Sequence, residues 1–304
     1  MDKLIILTGP TGIGKTELSL KIAKEYNCEI ISCDSMQIYR YMDIGTAKIN
    51  LNKTDITHHM IDIKNPDEDY SVSDYKNEVK ELIKEINHRG KIPLMVGGTG
   101  LYINSIVYNL NFSNVAPDEE FRAKMENLAL EKGTDFLYEL LLSKDKEAAK
   151  RIDPHNKKRI IRALEINEFS DGKEVSNFRE ENNEYDLCYL ALNMDRSILY
   201  ERINKRVDIM FEEGLVKEVD NLVEKYDANL NSMRAIGYKE IIDYLHGRIS
   251  LEESCELIKK NTRHYAKRQL TWFKRDKRIK WFNKLDDNLE EEVIGYIGEK
   301  FGNL

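Results

Sequence analysis

The sequence predicts an α/β fold, a parallel sheet with helices between its strands, interrupted once by a helical insertion. Three observations carry this. Short apolar runs ending at glycine or a small polar residue alternate with amphipathic helical stretches over the first hundred residues. The octapeptide GPTGIGKT (9–16) lies between the first such run and the first helical stretch. Residues 118–170 then carry helical periodicity with few strand signals.

The elements follow in order. KLIILTG (3–9) is a short apolar run with β-branched residues, closed by glycine, and reads as a buried strand. TELSLKIAKEY (16–26) places Leu18, Ile22 and Tyr26 at helical spacing. EIISCDS (29–35) is a second buried strand. SDYKNEVKELIKEINHRG (73–90) is an amphipathic helix with serine at its start and glycine past its end. KIPLMVGGTG (91–100) is a third strand, again closing on glycines. Strand, helix, strand, helix, strand implies parallel crossover units. LCYLALNM (187–194) reads as a strand once more, helices dominate 196–276, and RIKWFN (278–283) reads as a last strand. The simplest organisation is a core built from 1–115 and 195–304, including C-terminal helices, with an insertion over 116–194.

Composition bounds the function. A chain of 304 residues, 41% hydrophobic and 33% charged, can bury a sizeable core and is not disordered. Its formal charge of −7 disfavours non-specific nucleic-acid binding unless basic residues are gathered into patches. Cys28, Cys33, Cys188 and Cys255 form no CxxC pair, which argues against a zinc knuckle or disulfide framework. The apolar N-terminal run is too short for a signal peptide, and no window approaches the roughly 18 apolar residues of a membrane span. The expected location is the cytoplasm, with no membrane partner.

Gly9, Gly14, Lys15 and Thr16 fit the phosphate-loop pattern GxxxxGK[ST], a nucleotide-binding (ATP-type) motif in its required strand-to-helix setting. Glycines let backbone N–H groups turn inward around phosphate oxygens, and the helix N-terminus adds partial positive charge. Lys15 reaches the phosphates and Thr16 offers a hydroxyl to Mg²⁺. The core is therefore expected to be a P-loop NTPase-like parallel sheet. Asp34 ends the second strand, at the sheet edge that lines the ligand crevice. Three roles compete for it: a Mg²⁺ ligand, a general base, or the cap of the following turn. Gly97, Gly98, Thr99 and Gly100 end the third strand at the same edge, where small residues permit close approach. His58 and His59 lack partners at metal-ligand spacing and read as hydrogen-bonded structural residues.

Basic residues are gathered into two stretches. RIDPHNKKRIIRAL (151–164) holds Arg151, Lys157, Lys158, Arg159 and Arg162. NTRHYAKRQLTWFKRDKRIK (261–280) is richer still and interleaves Tyr265, Trp272 and Phe273. One such patch reads as a solvated face; two on an acidic chain point to a polyanionic partner.

Together these segments resemble the tRNA dimethylallyltransferase family. The resemblance is carried by GPTGIGKT (9–16), ISCDSMQIYRYMDIGTAK (31–48), HHMIDI (58–63), PLMVGGTGLYI (93–103), KRIIRALE (158–165), AIGYKE (235–240) and TRHYAKRQLTWF (262–273), in family order over nearly the whole chain. The departures are local: Ile49 stands where the family usually has proline, and Asp153 and Lys157 differ from its common form.

The resemblance implies transfer of a dimethylallyl group from dimethylallyl diphosphate to N6 of adenosine 37 beside the tRNA anticodon, releasing diphosphate. It implies that Gly9, Pro10, Thr11, Gly12, Ile13, Gly14, Lys15 and Thr16 grip the donor diphosphate and that Thr16 holds Mg²⁺. It implies Asp34 as the base, with Lys15, Thr16 and Arg206 completing the catalytic set. Asp34, Ser35, Met36, Gln37, Thr99, Arg122, Lys158, Arg159, Ile160, Ile161 and Arg162 match positions that contact tRNA. The expected partner is the anticodon stem-loop, contacted partly by the 116–194 insertion of a monomeric enzyme. A small-molecule kinase would share the loop but not the basic aromatic stretch. A prenyltransferase of free adenine nucleotides would need neither patch. A non-catalytic RNA-binding switch would bind GTP or ATP and form no prenyl product.

Overall fold

The computed structural model describes residues 1–110, 115, 118–170 and 180–302. The chain divides into two compact units, Met1–Tyr108 with Glu181–Leu304, and Asn109–Glu180.

The first unit begins with β1 (Asp2–Thr8), α1 (Lys15–Glu25), β2 (Cys28–Cys33), the two-residue β3 (His58–His59), α2 (Val72–His88), β4 (Ile92–Gly97) and α3 (Gly100–Val107). The second unit holds α4 (Glu119–Lys132), α5 (Thr134–Lys144), α6 (Lys146–Arg151) and α7 (Lys157–Phe169). The first unit resumes with β5 (Tyr185–Asn193), α8 (Arg196–Glu212), α9 (Leu215–Val223), α10 (Tyr238–Leu245), α11 (Leu251–Phe273), β6 (Lys280–Asn283) and α12 (Leu289–Phe301).

The strands form one sheet in the order β3-β2-β4-β1-β5-β6, with every pair parallel. Continuous apolar runs belong inside such a sheet, where helices cover both faces. Leu4 to Leu7 of β1 are accordingly inaccessible to solvent. Ser71 caps α2 with a reciprocal bond to Asp74, so the helix begins at Val72 and Ser73, the serine expected at its start, lies inside its first turn. Among the described residues, no helix is long and apolar enough to cross a membrane.

The expected insertion boundary of 116–194 is corrected. Tyr185–Ala191 pairs with Asp2–Thr8 along seven consecutive positions, which makes β5 an inner strand of the sheet. Cys188 through Leu192 are all buried, so this segment needs cover on both faces. The helical unit therefore ends at Glu180.

That unit has its own small core of Met125, Leu137, Leu141, Ala149, Ile160, Ile161 and Leu164. Ile160 and Ile161 are thus removed from the RNA-contacting set: they are 0% and 4% exposed, on the inward face of α7. Beside them, buried Glu165 accepts hydrogen bonds from Arg122 at 2.8 and 3.0 Å, from Arg162 at 2.5 Å and from the Asp118 N–H at 2.8 Å. Burial opposes ionisation of Glu165, yet these donors hold its carboxyl below the usual range. Lys157 pairs with Glu126. Lys158 and Arg159 are exposed.

Candidate active site

The site forms at the C-terminal ends of β1, β2 and β4, where an open parallel sheet binds its ligands. The loop after β1 turns at Gly9 (φ +141°) and Gly14 (φ +95°), conformations that suit glycine. A Cβ at Gly9 would also lie 2.8 Å from the Leu192 carbonyl oxygen of β5. Lys15 Nζ donates to the Gly9 and Pro10 carbonyls, each at 2.9 Å. Burial of this ammonium, and then the neighbouring Arg206 guanidinium, lower its pKa to about 8 against the pull of Asp34.

Asp34 follows β2 directly. Its Oδ1 accepts the Met36 N–H at 2.9 Å, so the turn-capping role is present. The carboxylate nevertheless lines the cavity as well. Arg206 stands on α8, where burial lowers its pKa and Asp34 raises it. Lys15, Asp34 and Arg206, far apart in sequence, thus share one electrostatic neighbourhood.

Two chambers meet here. The first has a volume of about 510 Å³ and is lined by the phosphate loop, Asp34, Gln37, Thr46, Ala47 and three cations of α8, Arg202, Lys205 and Arg206. The second, about 340 Å³, is more apolar, with Met36, Ile203, Val207, Met210, Ile236 and Ile258 in its walls alongside Ser35, Arg234 and Arg268. Thr11, Gly12, Asp34, Thr46, Arg206 and Tyr265 line both.

The glycines after β4 serve packing. A Cβ at Gly98 would fall 2.1 Å from Gln269 Nε2, and one at Gly100 would fall 2.3 Å from the Trp272 ring. The indole thus packs against a helix start. Gln269 accepts the Thr11 N–H at 2.9 Å and donates to the Gly98 carbonyl at 3.0 Å, tying the phosphate loop to the loop after β4. Thr99, expected to touch the donor or target nucleotide, accepts the Ser35 N–H at 3.1 Å and so shapes the loop after Asp34. Gln37 accepts from Ser32 Oγ at 3.1 Å and donates to the Thr46 carbonyl at 3.2 Å.

Sequence reasoning missed Arg202, Lys205 and Gln269. Arg202 had a signal, because a position four residues before Arg206 shares its helix face, and its Nε donates to the Gly12 carbonyl at 3.2 Å; Lys205, one residue before Arg206, had none. Gln269 had none, since its partners lie on loops distant in sequence.

Among the described residues, no cluster of three or more His, Cys, Asp or Glu side chains could hold a metal. Thr16 and Asp34 do present hard oxygen donors to the same chamber, a set that fits Mg²⁺ held largely by phosphate and water. His58 and His59 are structural: His58 Nδ1 contacts the Ile56 carbonyl at 2.8 Å, and His59 Nε2 lies 2.7 Å from Glu29. In the second basic stretch, Arg278 is paired with Asp276 and Glu181, and Arg263 bonds Asn204. Lys267, Arg268, Lys274, Arg275, Lys277 and Lys280 are exposed.

A family model described as IPP transferase matches residues 37–276. The tRNA dimethylallyltransferase of Caldanaerobacter subterraneus subsp. tengcongensis is 50% identical over 310 residues, covering 98% of each chain. The chain belongs to the tRNA dimethylallyltransferase family. Solved structures agree. The tRNA isopentenylpyrophosphate transferase of Bacillus halodurans superposes with a TM-score of 0.75 at 43% identity, covering 99% of this chain and 97% of that one. A eukaryotic dimethylallyltransferase acting on tRNA gives a TM-score of 0.86 at 29% identity, covering all of this chain and 80% of that one. The α/β core of this family member is the six-stranded parallel sheet described above. Of the site residues expected from the resemblance, Gly9–Thr16, Asp34–Gln37 and Arg206 lie together at one sheet edge, whereas Arg122 and Lys158–Arg162 belong to the helical unit.

Proposed function

We propose that the chain transfers a dimethylallyl group from dimethylallyl diphosphate to N6 of adenosine 37, next to the tRNA anticodon. The products are N6-(dimethylallyl)adenosine and diphosphate. The observation that carries this reading is the junction of the two chambers. Asp34 and Arg206 face both, while Lys15 and Thr16 face only the polar one. A donor with an anionic head and an apolar tail, and a flat acceptor base, match such a pair of chambers.

The chemistry follows from the side chains. The N6 lone pair is delocalised into the ring, so the amine is a weak nucleophile. As the N6–C1 bond forms, Asp34 accepts the amine proton. The C1–O bond breaks and its electron pair leaves with the diphosphate. Lys15 and Arg206, with Arg202, Lys205 and the loop N–H groups, stabilise that charge. Magnesium on Thr16 would supply further neutralisation of the leaving group. No ATP is consumed.

The target adenosine must be turned out of its loop to reach the junction. Ser35, Met36 and Gln37 flank its entry, and Arg122, Lys158, Arg159 and Arg162 offer cations to the RNA backbone from the helical unit. Arg122 and Arg162 do so while held by Glu165, which fixes their positions and offsets part of their charge. We place the reaction in the cytoplasm and assign it to a monomer.

The test is incubation with dimethylallyl diphosphate, Mg²⁺ and unmodified tRNA, followed by nucleoside mass analysis. Prenylated adenosine beside the anticodon supports the reading. Phosphate transfer from ATP with no prenylated nucleoside would replace it with the kinase reading.

A further inference from the structure

Glu218 lies on α9, outside both chambers, yet it governs one of their walls. Its Oε2 accepts the backbone N–H groups of Asp43 at 2.9 Å and Ile44 at 2.7 Å. Its Oε1 accepts the Gly45 N–H at 3.1 Å and the Tyr238 hydroxyl at 2.7 Å. Successive amides converging on one carboxylate form an anion nest, here filled by a side chain. Tyr238 is fully buried and lies flush against Gly45, where a Cβ would sit 2.5 Å from the ring.

The clamped turn is a thin partition. On one side Gly45, Thr46 and Ala47 line the reaction chambers. On the other, Asp43, Ile44 and Glu218 line a separate outer pocket of about 430 Å³. The partition is also tied from within, by Gln37 Nε2 to the Thr46 carbonyl. Without the carboxylate, three amides and a buried hydroxyl lose their acceptor. The turn keeps its own backbone bonds, Thr46 Oγ1 on the Met42 carbonyl and Lys48 Nζ on Asp43, but loses its hold on the side of the outer pocket.

We propose that Glu218 is a positioning residue whose carboxylate holds the Asp43–Ala47 turn as a water-excluding wall of the reaction chambers. The proposal rests on the prenyl-transfer reading above. When the donor C1–O bond breaks, the allylic carbon carries positive charge and combines with whichever nucleophile is nearest. With the wall closed, that nucleophile is the adenosine amine. With the wall loosened, water attacks the carbon instead. A C–O bond to water then forms, the water proton passes to solvent, and diphosphate leaves with a prenyl alcohol in place of prenylated RNA. Closed sites suppress such side reactions by excluding water.

The experiment compares wild type, Glu218→Gln and Glu218→Ala with dimethylallyl diphosphate, Mg²⁺ and an anticodon stem-loop, measuring diphosphate and prenylated RNA in the same samples. In wild type the two should be equal. In both variants transfer should fall by about 10- to 100-fold, the scale of a small misplacement in a site, and diphosphate should exceed prenylated RNA. Hydrogen exchange at the Asp43, Ile44 and Gly45 amides should quicken. Acetate or formate should refill the nest of Glu218→Ala, restoring coupling in a saturable way that chloride does not match. Equal diphosphate and prenylated RNA in Glu218→Gln would overturn the proposal. So would a loss of both products in step with a lower unfolding temperature. If wild type yields no prenylated RNA, the functional reading fails, while the exchange and acetate measurements still report on the clamp.

Discussion

Gln269 holds the phosphate loop in place from α11, and its replacement by leucine has a calculable cost. The Thr11 N–H would lose its acceptor and the Gly98 carbonyl its donor. Gln269 is only 5% exposed, although it and Thr11 border the polar chamber, from which water can relieve part of the loss. An orphaned buried polar group costs about 1–3 kcal/mol. Two of them, partly relieved by relaxation, should cost roughly 2–4 kcal/mol in Gln269→Leu. For a unit of this size each kcal/mol lowers the unfolding temperature by about 2–4 °C, so a fall of roughly 4–16 °C is expected in calorimetry. Function should suffer beyond stability. The Thr11 amide would no longer be fixed opposite the loop after β4, and kcat/KM for the donor should drop by about tenfold or more at a temperature where the variant is fully folded. Gln269→Glu keeps the acceptor for Thr11 and sets a carboxylate against the Gly98 carbonyl. It should retain more donor binding than leucine does while losing comparable stability. A leucine variant with an unfolding temperature within about 2 °C of wild type and an unchanged donor KM would refute the reasoning.

Four further outcomes are expected. Lys15→Ala should lose about 2–4 kcal/mol of transition-state stabilisation, read as kcat/KM for dimethylallyl diphosphate; a near wild-type value would sink the assigned role. Asp34→Asn should bind the stem-loop within a few-fold of wild type but lose roughly 10²–10⁴ in turnover, and failure to bind Mg²⁺–diphosphate with normal residual chemistry would favour the metal-ligand role instead. Neutralising exposed Lys158 and Arg159 together should lower the salt slope of tRNA binding by about one to two, more than Arg162→Ala, because Arg162 is already paired with Glu165; a slope that does not move would remove them from the interface. Glu29 supplies a pH dependence of stability: burial raises its pKa, but hydrogen bonds from His59, Arg89 and Lys91 outweigh this and bring it from 4.5 to about 2. Its stabilising contribution is therefore complete above pH 4.5 and lost as pH falls to 2, so the wild type and Glu29→Gln should converge in denaturant midpoint over that window.

Most of the fold was legible because the sheet is apolar on both faces. Runs such as LIIL and IIS are too short for helices and too continuous for half-exposed strands, and each is followed by glycine or aspartate where the crevice begins. The edge strand β3 was not legible, since two histidines paired with Ile30 and Ile31 carry no periodicity. The LCYLALNM run was recognised as a strand but assigned to the insertion. Its membership of the central sheet depends on pairing with residues 2–8, a long-range contact that local pattern does not encode. Within the site, Lys15 and Thr16 were legible from spacing, and Asp34 from its place at a strand end. Ile160 and Ile161 were carried in with a basic motif, although their apolar side chains at helical spacing already marked the inward face of α7. Gln269 and Glu218 were invisible because each acts on backbone groups, whose positions only the folded chain reveals.

The position of β1 has a consequence for how the chain is made. Both of its edges are paired with strands encoded much later, β4 at 92–97 and β5 at 185–193. At roughly 5–20 residues per second, synthesis from the end of β1 to the end of β5 takes on the order of ten to forty seconds. Throughout that interval LIIL exposes an unpaired edge of the kind that recruits other nascent chains. The phosphate loop cannot settle either, because its first glycine packs against the Leu192 carbonyl of β5. The β5-facing edge of β1 therefore waits for its native partner until the far side of the helical insertion has been translated.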